Sequence, residues 1–237
     1  MKNKKVSVIL PTYNEKDNIK ELIRLIYFYC GADLFEVIVV DDNSPDGTSK
    51  IVKELQKKYR NLYLHRRLNK RGLASAIWSG IEMARGNIIV WLDCDLSHPP
   101  KLIPKMLEYI PRYDAVWASR YVEGGKDKRP FIRVMSSKII NLLANFILES
   151  NIKDLTSGFY AVKKEVFSNI QLMKTGYAEY CIRFSYDLVR QGYKIKEVGY
   201  VFVDRKKGYS KAYSSLRDYT YYGYLCFKEI VKLRIGK

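Results

Sequence analysis

Short apolar runs alternate with stretches of helical periodicity through the first half of this chain, and that alternation admits few folds. Val6 to Leu10, Phe35 to Val40, Leu62 to His65 and Asn87 to Leu92 read as strands. Between them Ile19, Leu22, Ile23 and Ile26, then Ile51, Val52 and Leu55, then Leu73, Ala76, Ile77, Gly80, Ile81 and Ala84 recur at the spacing of a helix face. Strands separated by helices of this length form parallel βαβ units. The expected fold class is α/β: a Rossmann-like, mostly parallel central sheet with helices on both faces.

Such sheets bind ligands outside the carboxyl ends of their strands. The run Ile88 to Leu92 ends directly in Asp93, Cys94 and Asp95, then Leu96, Ser97, His98, Pro99 and Pro100. Two carboxylates two residues apart at a strand end suit Mg2+ or Mn2+, which are held by one or two carboxylates together with substrate phosphates. An Asp-rich turn has the same appearance. Pro11 to Glu15 and Asp41 to Thr48 follow the first two strands, and in a parallel sheet all three loops share one edge, where they can build a single pocket. The plainer reading is that Asn14 and Ser44 start helices, that Asp46 and Gly47 make a turn, and that His98 caps the turn before Pro99.

Further on, Leu102, Ile103, Met106 and Leu107 mark a helix and Asp114 to Ser119 a strand, before a polar loop through Gly124, Gly125 and Pro130. Ile132 to Leu148 is helical and apolar on most sides, interrupted by Arg133, Ser136, Ser137, Lys138, Asn141 and Asn145, so it is either buried or lies on a membrane. Gly158 to Val162 and Lys194 to Val203 read as strands, and Leu216, Tyr219, Phe227, Ile230 and Val231 as a terminal amphipathic helix. No repeat or linker divides the chain.

The formal net charge of +17 over 237 residues implies a polyanionic partner: nucleic acid, nucleotide phosphates or an acidic membrane. Twenty tyrosines among many Lys and Arg would suit base stacking. Without an RNA-recognition signature, zinc-finger spacing or basic zipper, however, no nucleic-acid partner is expected. No GxGxxG follows the first strand and no GxxxxGK[ST] loop occurs, which counts against dinucleotide and ATPase readings. Cys30, Cys94, Cys181 and Cys226 show no paired spacing, which fits a reducing cytosol. The five-residue run before Pro11 is too short for a signal-peptide core, and no uninterrupted apolar stretch reaches the roughly 20 residues of a membrane span. Membrane contact is expected to be peripheral.

Pro11-Thr12-Tyr13-Asn14-Glu15, Val40 to Thr48 and Asp93 to Pro99 resemble glycosyltransferase family 2. Ser119, Arg120 and Tyr121, Arg133 with Ser137, Asp154 to Phe159, and Phe202 to Arg205 with Gly208, Ser210 and Lys211 resemble its dolichyl-phosphate mannose synthase branch. The resemblance implies one GT-A catalytic domain over residues 1–237, with a nucleotide-binding half (1–95), an acceptor-binding half (96–210) and a C-terminal amphipathic helix (211–237). It places Pro11, Tyr13, Glu15, Val40 and Asp42 at the nucleotide. Asp93 and Asp95 would hold the metal and, with the Cys94 backbone, the diphosphate. Arg120, Arg205 and Lys211 would neutralise donor phosphates, and Arg133 with Ser137 would hold the acceptor phosphate. The implied reaction is inverting transfer of mannose from GDP-mannose to dolichyl or polyprenyl phosphate at the cytoplasmic face. UDP-glucose as donor, or a sugar or protein hydroxyl as acceptor, is the alternative. Some members rely on small membrane-embedded subunits.

Arg and Lys beside a metal diphosphate are expected on physical grounds, since the guanidinium fork matches phosphate oxygens and the ammonium is a point charge. Two departures from the family pattern stand out. Arg183 falls where relatives carry an acidic residue, and Ser97 replaces a Gln. If Glu179 or Asp187 faced the pocket, a general base would be available. Lys126, Lys128, Arg129, Arg133 and Lys138 around the apolar helix, and Arg205, Lys206, Lys207, Lys211 and Arg217 before the terminal one, favour an anionic lipid surface.

Overall fold

The computed structural model of the protein describes residues 4–205 and 216–236. In chain order the elements are β1 (Val6–Thr12), α1 (Ile19–Cys30), β2 (Leu34–Asp41), α2 (Thr48–Gln56), β3 (Leu62–Arg66), α3 (Leu73–Met83), β4 (Ile88–Trp91), α4 (Ile103–Tyr109), β5 (Ala115–Ser119), β6 (Lys126–Asp127), α5 (Phe131–Leu148), β7 (Tyr160–Lys163), α6 (Glu179–Arg190), β8 (Ile195–Gly199), β9 (Val201–Phe202) and α7 (Leu216–Ile235). A seven-stranded sheet runs β3-β2-β1-β4-β7-β5-β8. All its pairs are parallel except those of β7, which is antiparallel to β4 and β5. The antiparallel strand follows from the route of the chain: after α5 it turns at the carboxyl edge of the parallel strands and enters the sheet from there. That turn, residues 154–158, is thereby delivered to the ligand edge.

Alternation along each strand fills two cores. Val6, Val8 and Leu10 of β1 pack towards α1 and α4, while Ile9 joins α3, α6 and α7 on the other face. Contact on the second face is close enough that a Cβ on Gly80 of α3 would lie 2.4 Å from Ile9 Cγ2. Trp91 stacks on Tyr160 at 4.7 Å and meets Phe184 edge-on at 5.6 Å, which ties the middle of the sheet to α6.

The structure departs from the sequence reading in two places and decides a third. The strand expected over Lys194 to Val203 breaks at Tyr200 into β8 and β9. Gly199 lies against the turn at residues 123–125, where a Cβ would meet the Glu123 carbonyl at 2.1 Å, and Lys126 N–H donates to the Tyr200 carbonyl at 2.9 Å. The chain is thus drawn out of the main sheet to pair with β6. On α7 the inward residues are Cys226, Ile230 and Leu233, with Phe227 44% exposed, so the buried face is rotated from the one expected. Finally, α5 buries only Asn141, Ala144 and Leu148 although it is long and apolar enough to cross a membrane. It packs against α7 and leaves Phe131, Met135, Ile139, Leu142 and Phe146 exposed in one stripe.

Candidate active site

The loops after β1 and β2 are tied to each other. Backbone N–H groups of Asn14, Glu15 and Lys16 donate to Ser44 Oγ at 2.9 Å, Thr48 Oγ1 at 2.9 Å and Asp46 Oδ2 at 3.0 Å. Asp41, fully buried, accepts from the Ser44 N–H and from the hydroxyls of Ser44 and Ser49. Ser44 therefore joins two loops rather than starting a helix, whereas Asp46 lies with Gly47 in the turn that enters α2, its Oδ1 accepting Thr48 N–H at 2.9 Å. Asn14, Asn43 and Leu96, one at each of the three strand ends, hold positive φ values of 55°, 55° and 65°. Asn tolerates this backbone. For Leu it costs about 1–2 kcal/mol, and such residues persist only where the surroundings over-determine them.

Around the expected nucleotide residues, Arg71 lies 3.6 Å from the centroid of the Tyr13 ring. Asp42 accepts Arg67 Nε at 2.7 Å and the Gly72 N–H at 2.8 Å. Arg67 is itself buried, a partner hidden in the sequence by its place in a run of basic residues. Pro11 is buried in β1. Val40, expected beside the nucleotide, has its side chain in the core, and its carbonyl accepts the Thr12 hydroxyl.

After β4, His98 organises the acidic turn. Its Nδ1 accepts the Asp93 N–H at 3.1 Å, so the neutral ring carries its proton on Nε2. The imidazole is buried among Phe159, Tyr200 and Phe202. That burial pushes its pKa down to about 4, against the raising effect of Asp95. Asp95 Oδ1 accepts the Ser97 N–H at 3.0 Å, and its Oδ2 lies 2.7 Å from Arg205 Nη2. The same guanidinium sits 3.5 Å from Glu15 Oε1, which links the first loop to the third. The Cys94 side chain points into the core and leaves its backbone at the turn. Lys211, Gly208 and Ser210 lie outside the described residues.

Across the cavity, Arg120 is buried and forks onto Asp154, with Nε to Oδ2 at 2.8 Å and Nη2 to Oδ1 at 2.6 Å. Burial alone would lower its pKa, but Asp154 outweighs that and holds the guanidinium well above its ordinary value. Nη2 also reaches Thr156 Oγ1 at 2.7 Å; Thr156 in turn accepts Asn141 Nδ2 at 3.0 Å and lies 3.3 Å from Ser137 Oγ. Arg133 Nη1 donates to Asp204 at 3.0 Å. Neither Asp154, Thr156 nor Asp204 stood out as a partner in the sequence, because each lies far along the chain from the residue it positions.

Asp93, Asp95, Arg133, Ser137, Thr156 and Arg205 line one cavity of about 180 Å³ between the strand ends and α5. No third His, Cys, Asp or Glu joins the two aspartates in a metal-binding group among the described residues. A pair of carboxylates is the donor set Mg2+ or Mn2+ takes when substrate phosphates and water complete the shell, so the residues fit such an ion. The guanidinium at Asp95 shows the same affinity for positive charge.

Residues 7–171 match the family model for glycosyl transferase family 2. The chain belongs to that family. It is 39% identical over 228 residues to the dolichol-phosphate mannosyltransferase of Pyrococcus furiosus, covering 93% of this chain and 62% of that protein. To the polyprenol monophosphomannose synthase of Mycolicibacterium smegmatis it is 32% identical over 212 residues, 86% of this chain and 79% of the relative. This family 2 glycosyltransferase therefore spans less than two thirds of the Pyrococcus protein. Glucosyl-3-phosphoglycerate synthase from Mycobacterium tuberculosis, solved with Mn2+, uridine diphosphate and phosphoglyceric acid, superposes with a TM-score of 0.76 at 18% identity over 98% of this chain and 78% of its own. The same enzyme with Mg2+ and uridine diphosphate gives 0.75 at 16% identity over 97% and 79%. The fold of this glycosyltransferase is GT-A.

Neither candidate base of the family 2 enzyme lines the cavity. Glu179 folds back over the start of its own helix and accepts the N–H groups of Tyr177 and Ala178, each at 2.8 Å. Asp187 lies further along α6, its pKa raised by burial. Arg183, one of the two departures from the family pattern, joins α6 to α7 by donating to Glu229.

Proposed function

We propose that this glycosyltransferase moves mannose from GDP-mannose to a dolichyl or polyprenyl phosphate, with inversion, at the cytoplasmic surface of a membrane. The observation that carries the reading is the single cavity in which Asp93 and Asp95 face Arg133, Ser137 and Thr156 beside the exposed stripe of α5. One wall suits a metal diphosphate, the other an anion. The stripe gives the hydrocarbon tail of a lipid acceptor somewhere to lie, with α5 resting in the membrane interface. The names of the Pyrococcus and Mycolicibacterium relatives agree with mannose and a polyprenyl phosphate.

Mg2+ or Mn2+ held by Asp93 and Asp95 would stabilise charge on the departing nucleoside diphosphate. Tyr13, Glu15 and Asp42, with the Pro11 strand end beneath them, would receive the nucleoside. Arg205, and Lys211 beyond the described residues, would neutralise donor phosphates. The fork of Arg120 is spent on Asp154 and Thr156, so it contributes its charge and the placement of Thr156. Arg133 and Ser137 would hold the acceptor phosphate with one oxygen directed at the anomeric carbon. A phosphate monoester has a second pKa near ~6 and is largely a dianion at neutral pH, so no side-chain base is needed. The new C–O bond forms as the diphosphate leaves with its electron pair from the opposite face, converting an α-linked donor into a β-linked product.

Purified protein given a nucleotide-sugar panel, Mg2+ or Mn2+ and a short polyprenyl phosphate tests this, with the lipid product read by mass. A GDP-mannose-dependent mannosyl lipid is expected. Product from UDP-glucose alone would overturn the donor assignment, and donor hydrolysis without lipid product would overturn the acceptor.

A further inference from the structure

On the next face of α5, and sharing Arg120 with the catalytic cavity, a second groove of about 650 Å³ opens between that helix, the turn after β5 and the loop that follows α5. Lys126, Lys138 and Lys153 line it. All three are exposed, and none forms an ion pair with a described residue, in contrast to Lys57 and Lys163, which are paired. The one carboxylate in the groove wall, Asp127, is already neutralised by Arg129 at 2.6 Å, with Arg120 3.7 Å away. The groove therefore carries uncompensated positive charge from three different segments around one depression. Leu142, 71% exposed, belongs both to its lining and to the apolar stripe of α5. Charge and apolar surface thus meet along one edge of one helix.

We propose that this groove seats the phosphate headgroup of an anionic bilayer phospholipid, distinct from the acceptor. A phosphodiester between the lysines would leave its acyl chains along Leu142 and the neighbouring stripe. This rests on the proposed membrane orientation of α5 and adds to it a defined lipid site, which would hold the mouth of the catalytic cavity against the bilayer. A free phosphate offers the same anion without the chains. The apolar edge commits the site to the lipid.

Binding to vesicles needs no turnover, so it can fail or succeed independently of the transferase reading. The variant K126E/K138E/K153E is compared with K20E/K50E/K53E, which makes the same charge change at exposed lysines on the α1 and α2 side. With a lysine near an anionic surface contributing about 1 kcal/mol, reversal of three at one site should weaken binding to phosphatidylglycerol vesicles by at least ~100-fold. The control variant should lose less than about a third of that effect on a logarithmic scale, and neither should change turnover of a short, soluble acceptor. Equal losses in the two variants would overturn the proposal in favour of diffuse attraction. So would release of the wild-type protein from vesicles by millimolar glycerol phosphate, which would assign the groove to a free anion.

Discussion

The two walls of the cavity are built from different interactions. On the proposed nucleotide side, backbone N–H groups and hydroxyls of the β1 and β2 loops satisfy Asp41, Ser44, Asp46 and Thr48 in a network of short neutral donors, beside one buried ion pair, Asp42 with Arg67. On the acceptor side the supports are ion pairs between distant segments: Arg120 with Asp154, Arg133 with Asp204, and Arg183 with Glu229 behind them. A neutral network loses one hydrogen bond at a time, at about 1 kcal/mol each. A buried ion pair that loses one member leaves an uncompensated charge. Loss of one hydroxyl from the Asp41 network should therefore be tolerated, whereas loss of one member of the buried pair Arg120–Asp154, or of Asp42–Arg67 across the cavity, should not.

The largest effect sets function apart from stability. Asp95→Ala should reduce turnover by about a thousandfold or more, as expected for loss of a metal ligand and of charge stabilisation, while far-UV circular dichroism stays unchanged. Unchanged turnover at saturating Mg2+ would remove the metal from that wall. Next, Asp154→Ala should cost about 3–5 kcal/mol in urea unfolding because it strands Arg120 in the interior, against about 1 kcal/mol for Ser49→Ala, which removes one hydroxyl from Asp41. Equal costs would erase the contrast between the walls.

Acid provides a third test. His98 has a folded pKa of about 4 against an ordinary 6.5, so the unfolded chain binds its proton more readily. Its contribution to stability is intact above pH 6.5 and falls as pH drops towards 4, by up to roughly 3 kcal/mol. His98→Gln should flatten that part of the stability curve relative to wild type. The smallest effect belongs to the surface. Phe146→Ser, at a position 82% exposed, should change unfolding free energy by less than about 0.5 kcal/mol while weakening retention on vesicles.

The same contrast explains what could be read beforehand. The four strands β1 to β4 and the three loops at one edge follow from local periodicity and turn residues, and the acidic pair announces itself at the end of an apolar strand, whereas the order β3-β2-β1-β4 is known only from the structure. Arg120, Arg133 and Ser137 were identifiable only through the family resemblance. Their placement depends on Asp154, Thr156 and Asp204, which no local pattern connects to them. The apolar run Phe35 to Val40 does imply a core position for the Val40 side chain, and its place beside the nucleotide came from the resemblance alone. The partner of Arg183 could not be read beforehand, because a salt bridge between α6 and α7 leaves no periodic trace in the sequence. The split of the last strand hinged on one glycine whose neighbour is a turn about 75 residues earlier.

In the proposed reaction one cavity joins a nucleotide-diphosphate wall to an acceptor-phosphate wall. Steady-state kinetics of Arg133→Ala test it most directly, with each substrate varied at saturation of the other. The KM for polyprenyl phosphate should rise at least about tenfold, the loss of a charge-assisted phosphate contact, while the KM for GDP-mannose stays where it was. A parallel rise in both constants, or no change in either, would contradict the account.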